Sequence, residues 1–187
     1  MNTELPSPEL LRKLLRYEPE TGKLFWEKRN VGMFYALTEK IAVRNCATWN
    51  AKFYGKEALC AITDKGYMRG RLLGVLFMAH RVVWAINELE WPMDEIDHKD
   101  GNRSNNVILN LRPANRAQNC ANVKSLSGSS SIYLGVYKSS SGTRWCASIR
   151  SGSIRKHLGS YNTEKEAAIA YDAAAKIYHG DFANVNF

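Results

Sequence analysis

The chain has 187 residues, 26 Lys and Arg against 18 Asp and Glu, a formal charge of +8 and a sequence pI near 9.4. With 45% hydrophobic and 24% charged residues it can bury a core and is not a disordered tail. Its longest near-continuous apolar run, Leu72 to Ala79, is far short of the roughly 18 residues that span a bilayer, and Glu4, Pro6 and Pro8 stand where a secretory leader needs a basic start and an apolar stretch. A cytoplasmic chain with no membrane partner is expected.

In chain order, Ser7-Pro8-Glu9 followed by Leu10, Leu11, Leu14 and Leu15 predicts a short amphipathic helix with Ser7 as N-cap and Pro8 in the first turn. Thr21-Gly22 predicts a turn before the strand-like run Lys23-Leu24-Phe25-Trp26. Residues 30 to 65 suggest several short strands whose pairing the pattern does not assign. Tyr67 to Leu73 reads as a strand, and Met78 to Leu89 as a helix with Ala79, Val82, Val83 and Ile86 on one face, closed by Trp91-Pro92. Glu95 to His98 predicts a short strand entering the turn Asp100-Gly101-Asn102, with Val107 to Leu111 as its returning partner and a helix from Pro113 to about Asn122.

Residues 124 to 131, Lys-Ser-Leu-Ser-Gly-Ser-Ser-Ser, have the composition of a flexible linker, which places one domain over 1–123 and a second over 132–187. Three strands are expected in the second, near 132–138, 144–150 and 154–161. In the middle one Arg144, Cys146, Ser148 and Arg150 alternate with Trp145, Ala147 and Ile149, giving one basic and one apolar face. Thr163 and Glu166 have capping-box spacing, so a helix begins there and runs to Gly180, with Ala167, Ala170, Tyr171, Ala174 and Tyr178 as its inner stripe. The fold class is α+β.

The charge is concentrated. Between Asp100 and Glu164 there is no acidic residue but nine basic ones, a one-signed field that attracts phosphate backbones, although a solvated basic surface would read the same on charge alone. Cys46, Cys60, Cys120 and Cys146 have no zinc-knuckle spacing and are expected to be reduced thiols packed as small hydrophobes. Seven asparagines fall between 102 and 122; turn chemistry accounts for Asn102, Asn105 and Asn106 better than for Asn110 and Asn119. Asp97-His98 offers a carboxylate beside an imidazole base, which with amide oxygens suits a hard divalent ion and phosphodiester hydrolysis.

Asp97-His98-Lys99-Asp100-Gly101-Asn102, followed by Asn105-Asn106, Asn110-Leu111-Arg112 and Asn119, resembles the phage-type HNH endonuclease motif. Gly66-Tyr67, Ala79-His80-Arg81-Val82-Val83-Trp84 and the segment Tyr17 to Trp26 resemble the lead-in of the same proteins. The resemblance implies a ββα-metal fold holding one divalent ion, Mg²⁺ or Mn²⁺. Asp97 would be the first metal ligand, His98 the general base, Asn110 the residue that holds the loop so that His98 is turned correctly, and Asn119 the second ligand. Arg112 and Arg116 are candidates for holding a phosphate, and His80 for a supporting hydrogen bond or phosphate contact. Adjacent residues of a regular strand point to opposite faces, so Asp97 and His98 can serve one centre only where the strand distorts or ends.

Tyr133-Leu134-Gly135-Val136, Arg144 to Arg150, His157 to Tyr161, Glu166-Ala167-Ala168, Ala170-Tyr171-Asp172 and Asn186-Phe187 resemble an Apetala-type, ethylene-response-factor-like DNA-binding domain. This implies a sheet face that enters a DNA groove, carrying Tyr137, Arg144, Ser148, Arg150, Arg155 and His157. Tyr137, Ser148 and His157 depart from the plant pattern, so the plant base preference does not transfer. The reading is a two-module, homing-like endonuclease acting on double-stranded DNA, with no protein partner evident. The alternatives are a DNA-binding regulator with an inactive HNH-like region and, third, an RNA-directed nuclease.

Overall fold

The computed structural model describes residues 5–122, 129–152 and 154–187. The chain divides into two compact units, 1–112 and 113–187, and is mixed helix and sheet. Most of the serine-rich segment read as a linker lies outside the described residues.

In the first unit, helix α1 (Pro8–Leu14) is capped by Ser7, whose Oγ accepts from the Leu10 amide at 3.2 Å, and buries Leu11 and Leu14. The chain passes directly into β1 (Leu15–Glu18), which turns back antiparallel into β2 (Lys23–Trp26). Gly22 makes that turn at φ +70°, where a side chain would also collide with the backbone of Asn106 and Val107. Helix α2 (Glu39–Phe53) follows, where short strands were expected. The helix is fixed by tertiary contacts: Asn50 Nδ2 donates to the Arg29 carbonyl and Oδ1 accepts from its amide, both at 2.9 Å, while Trp26 packs edge to face against Trp49 and Phe53.

β3 (Glu57–Ala58) completes a sheet of order β1-β2-β3, and β4 (Ala61–Ile62), β5 (Met68–Leu72) and β6 (Val75–Met78) form a second antiparallel sheet. Helix α3 (Ala79–Glu88) ends at Leu89, in the left-handed region at φ 63°, before Trp91-Pro92 is reached. Its last turn is held by Arg12, whose Nε and Nη2 donate to the Ile86 carbonyl at 3.0 and 2.6 Å. Arg81 reaches from the same helix to the carbonyls of Pro92 and Asp94, at 2.7 and 2.9 Å, fixing the loop that enters β7 (Glu95–His98). β7 pairs with β8 (Leu111–Ala114); the partner starts later than the sequence suggests, because residues 108–110 form a 3₁₀ turn. Val82, Val83, Leu72, Ile96 and Leu111 join α1 in one core.

The second unit begins inside β8. Helix α4 (Arg116–Ala121) has a capping box in which Asn115 Oδ1 accepts from the Gln118 amide and Gln118 Oε1 from the Asn115 amide, each at 2.9 Å. Strands β9 (Val136–Lys138), β10 (Trp145–Ser151) and β11 (Ile154–Tyr161) form an antiparallel sheet of order β11-β10-β9 with a bulge opposite Ala147 and Ser148. Helix α5 (Glu164–His179), capped by Thr163 with Glu166 and ended at Gly180, covers one face. Gly135 lies against the Tyr171 ring, closer than any β-carbon permits.

Three expectations are corrected. Tyr178 is exposed and its hydroxyl accepts from Lys156 Nζ, while Ala168, Ala175 and Asp172 join the buried stripe. Asp172 belongs there because its carboxylate accepts the Asn186 and Phe187 amides at 2.8 and 3.0 Å. Cys46 and Cys146 pack as small hydrophobes, but Cys60 and Cys120 are exposed; all four are free thiols. Ser131, counted with the linker by composition, is buried and its hydroxyl donates to Glu164 at 2.6 Å.

Candidate active site

β7 alternates poorly: Ile96, Asp97 and His98 are all buried, with Asp97 and His98 only 4% and 3% exposed. Buried polar groups need partners, and each side chain has a different one. Asp97 Oδ2 accepts from Arg112 Nε and Nη2 at 2.8 and 2.7 Å, an ion pair largely withdrawn from water. His98 Nε2 lies 3.1 Å from Asn106 Oδ1. The Asn106 amide nitrogen is turned to Met68 Sδ at 3.4 Å, so its oxygen faces the ring and His98 Nε2 carries the proton. Nδ1 is then the basic nitrogen.

The ring is walled by aromatic neighbours. His80 is 5.2 Å away, edge to face, and Tyr67 is 5.9 Å from His98 and 5.3 Å from His80. Burial lowers the His98 pKa most strongly, while the Asn106 hydrogen bond and then the Asp100 and Asp97 carboxylates oppose the shift. His80 falls further, to about 3, through burial, then His98 and Arg81, so it is neutral at physiological pH. Its Nδ1 is buried without a hydrogen-bond partner.

The loop from 99 to 110 is a closed amide network around Asp100. Asn110 Oδ1 accepts from the Asp100 amide at 3.1 Å, and its Nδ2 donates to Asp100 Oδ1 and to the Asn105 carbonyl at 3.0 and 2.9 Å. Asn105 Nδ2 donates to Asp100 Oδ2 at 2.7 Å, and these donors hold the Asp100 pKa low against its partial burial. The Lys99 amide donates to the Asn110 carbonyl at 2.8 Å. Asn110 therefore ties together both ends of the loop that carries His98.

Among the expected residues, the first unit brings Asp97, His98, Asn110, Arg112 and His80 into one region. Arg112, expected as a phosphate contact, is instead engaged with Asp97. Asn119 and Arg116 lie on α4 in the second unit, where Arg116, Cys120 and Arg150 line a cavity of about 410 Å³. On the sheet, pairing sets Tyr137 opposite Cys146, Ser148 opposite His157 and Arg150 opposite Arg155. Arg155 stands 5.1 Å over the Tyr137 ring and its Nε donates to Ser148 Oγ at 3.0 Å, while Tyr137 Oη is 3.4 Å from His157 Nδ1. Arg144 Nη2 donates to the Ser160 carbonyl at 2.7 Å.

Sequence reasoning misses Asn106, which groups with the turn residues by type although it is 1% exposed. It also misses the support behind that residue. The Tyr17 hydroxyl accepts from the Ile108 amide at 2.9 Å and donates to the Asn106 carbonyl at 3.4 Å, and the Gly22 turn backs on the same peptide. The signal available is the doublet Asn105-Asn106, of which the turn needs only one.

A buried imidazole with one nitrogen held by an amide and a carboxylate one residue away is chemically able to accept a proton. Residues 77–121, from β6 through α4 and about a quarter of the chain, match the family model described as HNH endonuclease. That match supports an HNH endonuclease, a hydrolase of nucleic acid. No curated protein matches the chain. Among the described residues no helix is long and apolar enough to cross a membrane.

Proposed function

We propose that this chain is a metal-dependent DNA endonuclease whose general base is His98. The observation that carries the reading is the His98–Asn106 pair buried beside Asp97 inside the HNH match. With Nε2–H donated to Asn106, His98 Nδ1 takes a proton from the attacking water, and the pKa lowered by burial leaves the ring unprotonated at neutral pH. Asn110 and Asn105 keep the loop closed so that the ring does not turn away. His80, neutral, adds bulk beside the base without competing for its proton.

Among the described residues no group of three or more His, Cys, Asp or Glu side chains could hold a metal ion. The donor chemistry still fits a hard, largely hydrated cation such as Mg²⁺ or Mn²⁺, which needs one or two protein oxygens and keeps its waters. Asp97 would supply a carboxylate oxygen, and Asn119 is proposed as the second ligand from the motif. When bound, the ion supplies positive charge for the scissile phosphate and the leaving oxygen. Arg112 then serves to orient Asp97 rather than to grip DNA.

The second unit is proposed as the DNA reader, an Apetala-like sheet presenting Arg150, Arg155, Tyr137 and His157. The homing-like arrangement is part of the same proposal. One observation favours the alternative, a regulator with an inactive HNH-like region: the Asp97 carboxylate is already paired with Arg112. Incubation of the purified chain with supercoiled plasmid in Mg²⁺, in Mn²⁺ and in EDTA decides between them. Nicking or linearisation in either metal, abolished by EDTA and by His98→Ala, supports the enzyme. Duplex binding without any cutting supports the regulator.

A further inference from the structure

The first unit holds a second cavity, of about 620 Å³, lined by residues outside the HNH match and built by α2, β2, β3 and β5. Trp26, Trp49 and Phe53 form an aromatic wall, and Arg29, Lys52, Lys56, Arg69 and Arg71 bring five cations to it. The one acid in the lining, Glu57, is already paired with Lys23 at 3.0 Å.

Arg29 is the telling residue. Its guanidinium carbon lies 3.8 Å from the centroid of the Trp49 ring and 5.6 Å from that of Trp26. Its backbone is pinned from both sides by Asn50. Its Nε is buried with no hydrogen-bond partner, and no carboxylate among the described residues forms an ion pair with it. A half-buried cation normally has a counter-charge, and burial lowers the pKa of Arg29, a cost that a bound anion relieves. The cation–π contact offsets part of that cost but satisfies no N–H.

The position favours one kind of anion. Tyr67, just before β5, and Met68, its first residue, touch the His98 and Asn106 side chains, whereas Arg69, Gly70 and Arg71 line the cavity. One strand thus leads from the candidate base to the cationic pocket over ~10 Å at about 3.3 Å per residue. Nucleic acid carries backbone charge at closer intervals than that. An aromatic wall beside paired and stacked cations suits a phosphate with its attached base, and the volume is that of a small-molecule site.

Resting on the DNA endonuclease reading, we infer that the pocket of Arg29, Lys52, Lys56 and Arg69 against Trp26 and Trp49 is a subsite for a nucleotide unit of the DNA substrate, flanking the scissile phosphate.

The test uses the full chain, a labelled 30-base-pair duplex and the matching single strand, with binding measured in EDTA across a salt series. The triple variant Lys52→Gln, Lys56→Gln, Arg69→Gln is compared with the parent, since among the described residues none of these side chains donates a hydrogen bond. The expected result is a fall in the slope of log affinity against log salt, by about 0.9 for each phosphate no longer neutralised on duplex or about 0.7 on single strand, with an unchanged thermal melt. Quenching of tryptophan fluorescence by the single strand is expected in the parent and reduced in Trp49→Phe. A triple variant that melts normally and keeps the parent slope on both DNAs overturns the subsite, as does a slope that changes only with an acidic peptide or with RNA as ligand. Plasmid cleavage in Mg²⁺ is scored separately. A chain that never cuts but loses its slope keeps the pocket and loses the nuclease reading, and a chain that cuts with an unchanged slope does the reverse.

Discussion

The two units place their polar residues in opposite ways. In the first, Asp97, His98, His80 and Asn106 are withdrawn from water and bonded or packed against one another. In the second, Arg150, Arg155 and His157 stand exposed on a sheet whose other face is closed by α5. Burial fixes protonation state and ring orientation, which proton transfer requires; exposure keeps charges available to a large, hydrated polyanion. Damage to the buried centre of the first unit should therefore appear in rate, and damage to the exposed sheet face of the second in affinity and its salt dependence.

The largest effect breaks the first half of that comparison. His98→Ala is expected to lower the single-turnover cleavage rate by roughly two to four orders of magnitude with DNA affinity in EDTA unchanged. Retention of the parent rate in a folded variant removes His98 as the base. Next is Asn106→Ala, with a rate loss of about 10- to 100-fold, the range for removal of an orienting partner. Its pH profile separates orientation from structure. The Asn106 bond raises the His98 pKa against burial, so its loss lets that pKa fall further. Activity lost on acidification, as His98 takes up a proton, should then be lost at lower pH than in the parent. An acidic limb at the parent pH, with the rate reduced, assigns Asn106 to packing alone.

How much of this was legible depends on whether local chemistry or distant contact sets a residue's state. Helices α1 and α5 carry their caps in the sequence, as Ser7-Pro8 and as Thr163 with Glu166, and both start there. Helix α2 does not read as one. Only Ala42 and Cys46 are buried along it, and asparagines interrupt it; the contact between Asn50 and Arg29 that fixes it spans 21 residues. The strand expected over 107–111 begins at Leu111 because Asn110 gives its side chain to Asp100 and Asn105. Asp97 and His98 stand out by residue type and spacing. Asn106 does not, because its burial comes from Tyr17 and Gly22, some 90 residues earlier in the chain.

A smaller effect tests the second unit. Arg150→Gln with Arg155→Gln is expected to weaken duplex binding about tenfold near physiological salt and to reduce the salt slope by about 1 for each phosphate that an arginine no longer neutralises. The single-turnover rate at saturating DNA should not change. Unequal effects on different duplex sequences would indicate that these arginines touch bases as well as phosphates. A double variant with the parent affinity and slope removes the sheet face as a reader.

The smallest expected effect sharpens the comparison most, because it reaches the buried centre without touching it. Tyr17 lies on β1, yet its hydroxyl bridges the Ile108 amide and the Asn106 carbonyl. Tyr17→Phe leaves the ring packed and deletes only the bridge, so the stability cost should be about 1 kcal/mol, the usual net value of one hydrogen bond, read from urea denaturation in EDTA. Because Asn106 in turn fixes His98 Nε2, slackening its backbone should let the imidazole sample unproductive orientations and lower the single-turnover rate a few-fold. KM and duplex affinity should be unaffected, since none of the cations proposed to meet DNA has moved. A purely structural role predicts otherwise: the variant would lose stability, yet its folded fraction would cut at the parent rate. A rate loss without a change in KM, together with an Asn106→Ala background in which Tyr17→Phe has no further effect on rate, places Tyr17, Asn106 and His98 on one line of support from the first strand to the base.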